Sequence, residues 1–263
     1  MTIREYIIQL QTQEQYAFSL EEVSSISDNS DVAIKKELDR LTEKKLIINL
    51  RKGFYLIIPP RYSMQGKIPV QLYINKLFKS LDRKYYLSLY SAAKFHGASH
   101  QQGQQEYIMT EIPKLGDIKK NNLNTRFFTT STWSDKNIQE RKSDAGYFKI
   151  SSPALTAIDL IHHQSKLGGI NRMLAVLEEL MEEITPEDIK TLLSWYPHKS
   201  SIQRLGFILE ELEAEDNLTS PILYYLKQSK YFPVLLSPKS DQKAGAVNNP
   251  WKVDINITLE SDL

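Results

Sequence analysis

Residues 30–58 read SDVAIKKELDRLTEKKLIINLRKGFYLII, and their pattern decides the reading of the N-terminal region. Ser30 supplies a hydroxyl at an N-cap position. Ile34, Leu38 and Leu41 then recur at i, i+4 and i+7, which lays one apolar stripe along a helix running to about residue 45. Two apolar runs follow, residues 46–50 and 54–58, around the short basic turn Arg51-Lys52-Gly53. Such a pair reads as a β-hairpin, and Pro59-Pro60 closes it because proline has no N–H for a continuing ladder. Upstream, Ile3, Ile7 and Leu10 predict a helix over residues 2–11. Ser19 followed by Glu22 is a capping-box signature for a second helix over 20–25, and Ser27-Asp28-Asn29-Ser30 is a turn. Helix, helix, turn, helix and hairpin within 60 residues is the order of a winged helix-turn-helix.

If the stripe of the third helix is buried, Asp31, Val32, Lys35, Lys36, Asp39 and Arg40 are left outside. The major groove admits a helix whose N-terminal half reaches base edges. Ser30, Asp31, Lys35 and Lys36 are therefore candidate base-edge contacts, and Arg40, further along, suits a phosphate. Arg51 and Lys52 at the hairpin tip would lie along the adjacent backbone or minor groove, with Tyr55 near the stem. Residues 1–60 carry 8 basic and 9 acidic side chains, but residues 30–55 alone carry 7 against 4.

The whole chain, 263 residues with net charge +1, is polarised. Residues 61–149 hold 15 basic and 7 acidic groups, whereas residues 150–263 hold 10 and 16. Lys76, Lys79, Arg83, Lys84, Lys119, Lys120 and Arg126 in the basic middle are candidates for additional DNA backbone contacts. The alternative is that this segment faces the acidic C-terminal third within the molecule. Helices are expected over 70–81 and 85–96, the latter stopped by Gly97. Strands are expected over 105–110, 126–130 and 147–150. A helical block opens at 153–163. It continues through the stripe from Ile170 to Ile184, the start signal at Thr185-Pro186, the stripe from Ile202 to Leu212, and a last helix beginning at Ser220-Pro221. Residues 239–249 read as an exposed loop. From Trp251 to Leu259, apolar and polar residues alternate as in a half-buried strand. The fold class is α+β: a winged helix-turn-helix over 1–60, then a larger mixed α/β domain over 61–263 ending in a helical block.

Several function classes are absent from the pattern. With no cysteine there is no disulfide, thiolate metal site or cysteine nucleophile. No run approaches the ~18 apolar residues of a membrane span, and no secretory signal opens the chain, so a soluble cytoplasmic protein is expected. His96 and His100 stand four apart, but Gly97 interrupts them. His162 and His163 are adjacent and face different ways on a helix. No phosphate loop, nucleophile elbow or zinc-protease motif appears. No enzyme activity, cofactor or metal is expected. A regulator sensing a small ligand through its C-terminal domain remains an alternative reading.

The stretch YYLSLYSAAKFHGASHQQ at 85–102 resembles the antitoxins of the AbiE abortive-infection systems, the AbiEi type. RKGFYLI at the hairpin, SSPALTAIDLIHH with the following glycine pair at 168–169, SIQRLGFILEEL and the closing NNPWKVDINITLESDL are similar in the same order. The resemblance implies a type IV toxin–antitoxin system in phage defence. The N-terminal domain would bind operator duplex DNA and repress its own operon. The C-terminal domain would counter a nucleotidyltransferase-like toxin without a stable complex. Where that family commonly has glycine before the wing, this chain has Lys45-Leu46, so a slightly longer third helix is expected.

Overall fold

The computed structural model describes residues 1–98, 105–238 and 241–260. It divides into two compact units, Met1–Tyr86 with Gln104–Thr129 and Glu140–Lys149, and Leu87–Gly103 with Thr130–Gln139 and Ile150–Leu263. His100, the end of the 85–102 motif and the start of the 239–249 loop lie outside the described residues.

The first unit begins with α1 (Ile3–Thr12), β1 (Ala17–Ser19), α2 (Leu20–Ile26), α3 (Asp31–Glu43), β2 (Ile47–Arg51) and β3 (Phe54–Ile57). Both Thr2 and Ser19 make full capping boxes, which satisfy donors the first turn of a helix leaves open. Ser30 caps α3 by accepting from the Ala33 N–H. Ile34, Leu38 and Leu41 are buried and meet Ile3, Ile7, Leu10, Phe18, Val23 and Ile57 in one cluster. The third helix does not run long. Lys44 is its C-cap, and Lys45 takes the left-handed conformation (φ 57°) that a glycine there would adopt freely. β1, which the sequence pattern did not announce, pairs antiparallel with β3, and the sheet order is β1-β3-β2. Three residues are too few to display an alternation. Every residue of β3 is buried, so the hairpin is covered on both faces.

Beyond Pro59, α4 (Pro60–Ser63), a 3-10 turn (Val70–Leu72) and α5 (Ile74–Ser80) lead into β4 (Tyr85–Leu87) and α6 (Leu89–Phe95). The helix expected over 85–96 is thus a strand for its first three residues. Tyr85, Tyr86 and Leu87 are all buried, and Leu87 pairs in parallel with Ile150. An apolar run this short cannot be assigned by period alone. β5 (Glu106–Glu111), β6 (Ile118–Lys120), β7 (Leu123–Thr130), β8 (Ile138–Ser143) and β9 (Gly146–Ser151) complete a second sheet of order β6-β7-β5-β4-β9-β8. Two further strands missed in the sequence, β6 and β8, are its edges. Their sequences, IKK and IQERKS, are charged because exposed edges must resist pairing with other chains.

In the second unit, α7 (Pro153–His162) packs against α6, and further on come α8 (Gln164–Leu167), a 3-10 turn (Asn171–Met173), α9 (Leu174–Glu183), α10 (Pro186–Leu193), α11 (Lys199–Glu211) and α12 (Asp216–Lys227). Two short parallel strands, β10 (Val234–Leu235) and β11 (Val253–Asp254), finish it. α12 starts four residues before the expected Ser220, so Pro221 lies inside it. Buried Leu218, Ile222 and Leu226 hold this helix despite the hydrogen bond proline cannot donate. The alternation after Trp251 yields only a two-residue strand. Trp251 and Val253 are buried, but Ile255 is 56% exposed. Backbone pairing ends where the segment docks on α11 instead. The Gln203 side chain donates to the Trp251 carbonyl at 2.8 Å, the Trp251 indole donates to Glu210 at 2.6 Å, and Arg204 donates to the Leu235 carbonyl at 2.8 Å. The indole lies against Gly206, where a side chain has no room.

A histidine cluster sits between α7 and the start of α11. The His162 and His198 rings stack at 4.2 Å, His163 meets His162 edge-on, and the His162 Nδ1 lies 3.0 Å from the Ser201 hydroxyl. The Tyr196 hydroxyl donates to Asp159. Burial lowers the His162 pKa to about 4, with His198, Arg204 and Lys166 adding to the effect, and that of His163 to about 3, with His162, Lys166 and His198 adding. Among the described residues, no group of three or more His, Asp or Glu side chains is placed to hold a metal ion.

Two outcomes follow. Gly206→Ala drives a methyl into the Trp251 ring, so the urea midpoint should fall by about 1–3 kcal/mol of stability; an unchanged midpoint would show that the tryptophan is not seated there. The depressed histidines stay neutral in the folded chain but take up protons near their ordinary 6.5 when unfolded. Their contribution is complete above that value and is lost as pH falls toward 4 and then 3. A His163→Gln variant should flatten this acid limb in pH-dependent urea titrations, and identical limbs would refute the assignment.

Candidate nucleic-acid interface

The buried stripe of α3 determines what its other face presents. With Ile34, Leu38 and Leu41 at 1%, 0% and 1% exposure, Asp31, Val32, Lys35, Lys36, Asp39 and Arg40 all face solvent. Lys35 and Lys36 form no ion pair or side-chain hydrogen bond among the described residues. Arg40 is paired with Glu37 one turn back on the same helix. Such an exposed i,i+3 pair contributes little and opens readily, so Arg40 is available to a phosphate at small cost. Ser30, exposed, accepts the Ala33 N–H with its hydroxyl oxygen, which leaves its O–H to donate. The N-terminal N–H groups of α3 and Asp31 share that end of the helix.

At the hairpin, Lys52 is exposed and Gly53 takes φ 74°, as a tight β2–β3 turn demands. Arg51 is half-buried: it donates to the Gly116 carbonyl at 3.4 Å, and its guanidinium lies 5.9 Å from the Phe127 ring centre. Tyr55, expected near the stem as a contact, is buried instead. Its ring stacks on Phe18 at 5.4 Å, and burial raises its phenol pKa. The local pattern of β3 could not reveal this, because β1 pairs along its free edge and sets Phe18 in register beside Tyr55.

The structure adds a neighbour that sequence reading missed. The β6–β7 hairpin packs beside β2, where the Lys120 ammonium donates to the Asn49 carbonyl at 2.6 Å. Lys119 and Lys120, exposed, thereby join Arg51 and Lys52 in one basic border on the first unit. Proximity across 70 residues leaves no local signal in a sequence. Of the other predicted contacts, Arg126 is half-buried with its guanidinium 5.2 Å from the Phe128 ring centre. Lys76 is paired with Glu22 at 2.8 Å, and Arg83 donates to the Glu111 carbonyl. Lys79 and Lys84 are exposed, and with Lys76 and Arg83 they line a cleft beside α5 and β4.

No described helix is long and apolar enough to cross a membrane. No curated protein sequence matches the chain. The crystal structure of the RV2827C protein from Mycobacterium tuberculosis matches with a TM-score of 0.66 over 95% of this chain and 89% of that one, at 14% identity. That likeness concerns the fold, and its extent takes in N-terminal as well as C-terminal elements. Residues 86–211 match the family model of the AbiEi antitoxin C-terminal domain. Residues 86–211 are thus similar to the C-terminal domain of the AbiEi-type antitoxins.

Proposed function

We propose that residues 1–60 act as a winged helix-turn-helix that sets α3 into the major groove of operator DNA. The protein then represses its own operon and, through its C-terminal domain, counteracts a nucleotidyltransferase-like toxin encoded with it. The observation that carries the DNA reading is the pair of unengaged ammonium groups, Lys35 and Lys36, opposite the buried stripe of α3. A lysine on a recognition helix reaches guanine O6 and N7 or a nearby phosphate. Arg40, Lys52 and Lys119 extend positive charge around that helix, where they would neutralise backbone rather than read sequence. Arg51 contributes as an anchor between the two hairpins. The antitoxin role is supported by the family of residues 86–211. No catalytic step is part of this reading, and no stable toxin complex is required.

Charge reversal at Lys35→Glu and Lys36→Glu should abolish operator binding in a gel-shift titration, while the full-length variant still rescues cells expressing the toxin. Retained operator occupancy would refute the α3 assignment. Lys52→Ala with Lys119→Ala should leave sequence preference intact. The slope of log affinity against log salt should become shallower by about 1.8, roughly 0.9 for each lost phosphate contact. An unchanged slope would remove the hairpin border from the footprint.

A further inference from the structure

Away from α3 and the β2–β3 hairpin, the first unit holds a concave site lined by several charged side chains. Residues at the end of α5, the segment 81–84, the start of β4 and the β8–β9 hairpin enclose a cleft of about 940 Å³. This lies in the range of small-ligand pockets, roughly 300–1,000 Å³. Five cations line it: Lys76, Lys79, Arg83, Lys84 and Lys149. Lys79, Lys84 and Lys149 form no ion pair among the described residues. Arg83 is held in place by its bond to the Glu111 carbonyl, so part of the ordering cost of a binding guanidinium is already met. The hairpin wall is itself fastened, by Gln15 to the Ala145 carbonyl and by Ser143 to the Gln71 carbonyl.

Three free ammonium groups and one anchored guanidinium exceed what a single carboxylate would call for. They suit a phosphate or a phosphate chain, which lysine binds as a point charge and arginine as a fork. The same cleft holds the Tyr147 ring, 58% exposed on β9. An exposed aromatic beside cations is a platform for a base, because every nucleobase has a face to stack. Glu140 and Asp82 on the lining are acceptors for an exocyclic amino group or a ribose hydroxyl. A cleft of ligand-pocket size admits a nucleotide, whereas a duplex would meet only its rim.

We propose that this cleft binds a nucleoside phosphate, with phosphate on Lys79, Lys84 and Lys149 and the base on Tyr147. The ligand is either a free nucleotide or the phosphorylated end of a single strand, which share this chemistry. The site is separate from the α3 interface, so either assignment can fail alone.

Calorimetric titration of the full chain in about 0.15 M salt with ATP, adenosine, inorganic tripolyphosphate and a 5′-phosphorylated tetranucleotide tests it. ATP should bind, and adenosine and tripolyphosphate should each bind at least about tenfold more weakly. Tyr147→Ala should weaken ATP about tenfold, the order of one lost stacking contact, and Lys79→Ala with Lys84→Ala should weaken it at least as much. All three side chains are exposed, and unchanged melting curves for the variants would confirm intact folding. Tighter binding of the tetranucleotide than of ATP assigns the site to a strand end, and the reverse assigns it to a free nucleotide. Absence of binding by both ATP and the tetranucleotide, tripolyphosphate binding as tight as the tighter of the two, or affinities untouched by the substitutions would overturn the proposal. So would loss of operator binding in the lysine variant with ATP affinity preserved.

Discussion

Burial of the α3 stripe against α1, β1 and β3 is the constraint from which the rest of the first unit follows. Ile34, Leu38 and Leu41 lose nearly all contact with water, and each fully buried aliphatic side chain of this size contributes about 1.5–3 kcal/mol. No other rotation of α3 would bury all three residues, because positions at i, i+4 and i+7 share one face only. The opposite face is consequently largely polar and cationic at 35 and 36, whose ammonium groups form no ion pair among the described residues. The surface proposed to meet DNA is thus the complement of a packing requirement.

The hairpin is fixed differently. In a bare two-stranded wing, one face of the ribbon meets solvent. Here β1 pairs along β3, Tyr55 turns into the aromatic contact with Phe18, and the β6–β7 hairpin lies beside β2. The result is a hairpin with a neighbour along each strand, whose exposed charge is limited to its tip and that of the β6–β7 hairpin. Arg51 illustrates the trade: its long side chain bridges to Gly116 and Phe127, strengthening the join between hairpins while giving up part of its reach toward a ligand.

In the second unit, α7 and α11 are buried on nearly every side, so their polar residues must find partners inside. Gln203 and Arg204 of α11 do so by fastening the segments around Leu235 and Trp251, and at the start of α7 the Ala154 N–H donates to Asp188 of α10, which also accepts from Asn137. The cluster of neutral histidines beside Ser201 follows the same rule: imidazole is buried more cheaply without its proton.

Local order was legible in the sequence wherever a periodic stripe, a capping residue or a turn glycine acts over a few residues. That covers α1, α2, α3, the β2–β3 hairpin, α7 and α10, and with them the exposure of Lys35 and Lys36. Only the tertiary structure placed β1 on β3, buried Tyr55, split 85–95 into strand and helix, set charged β6 and β8 at the sheet edges, and assembled the cleft from residues 76–84 and 140–149. The physical reason is range. Helical period and capping are determined within one or two turns, whereas strand pairing and side-chain burial depend on partners tens of residues away, whose identity no local pattern encodes.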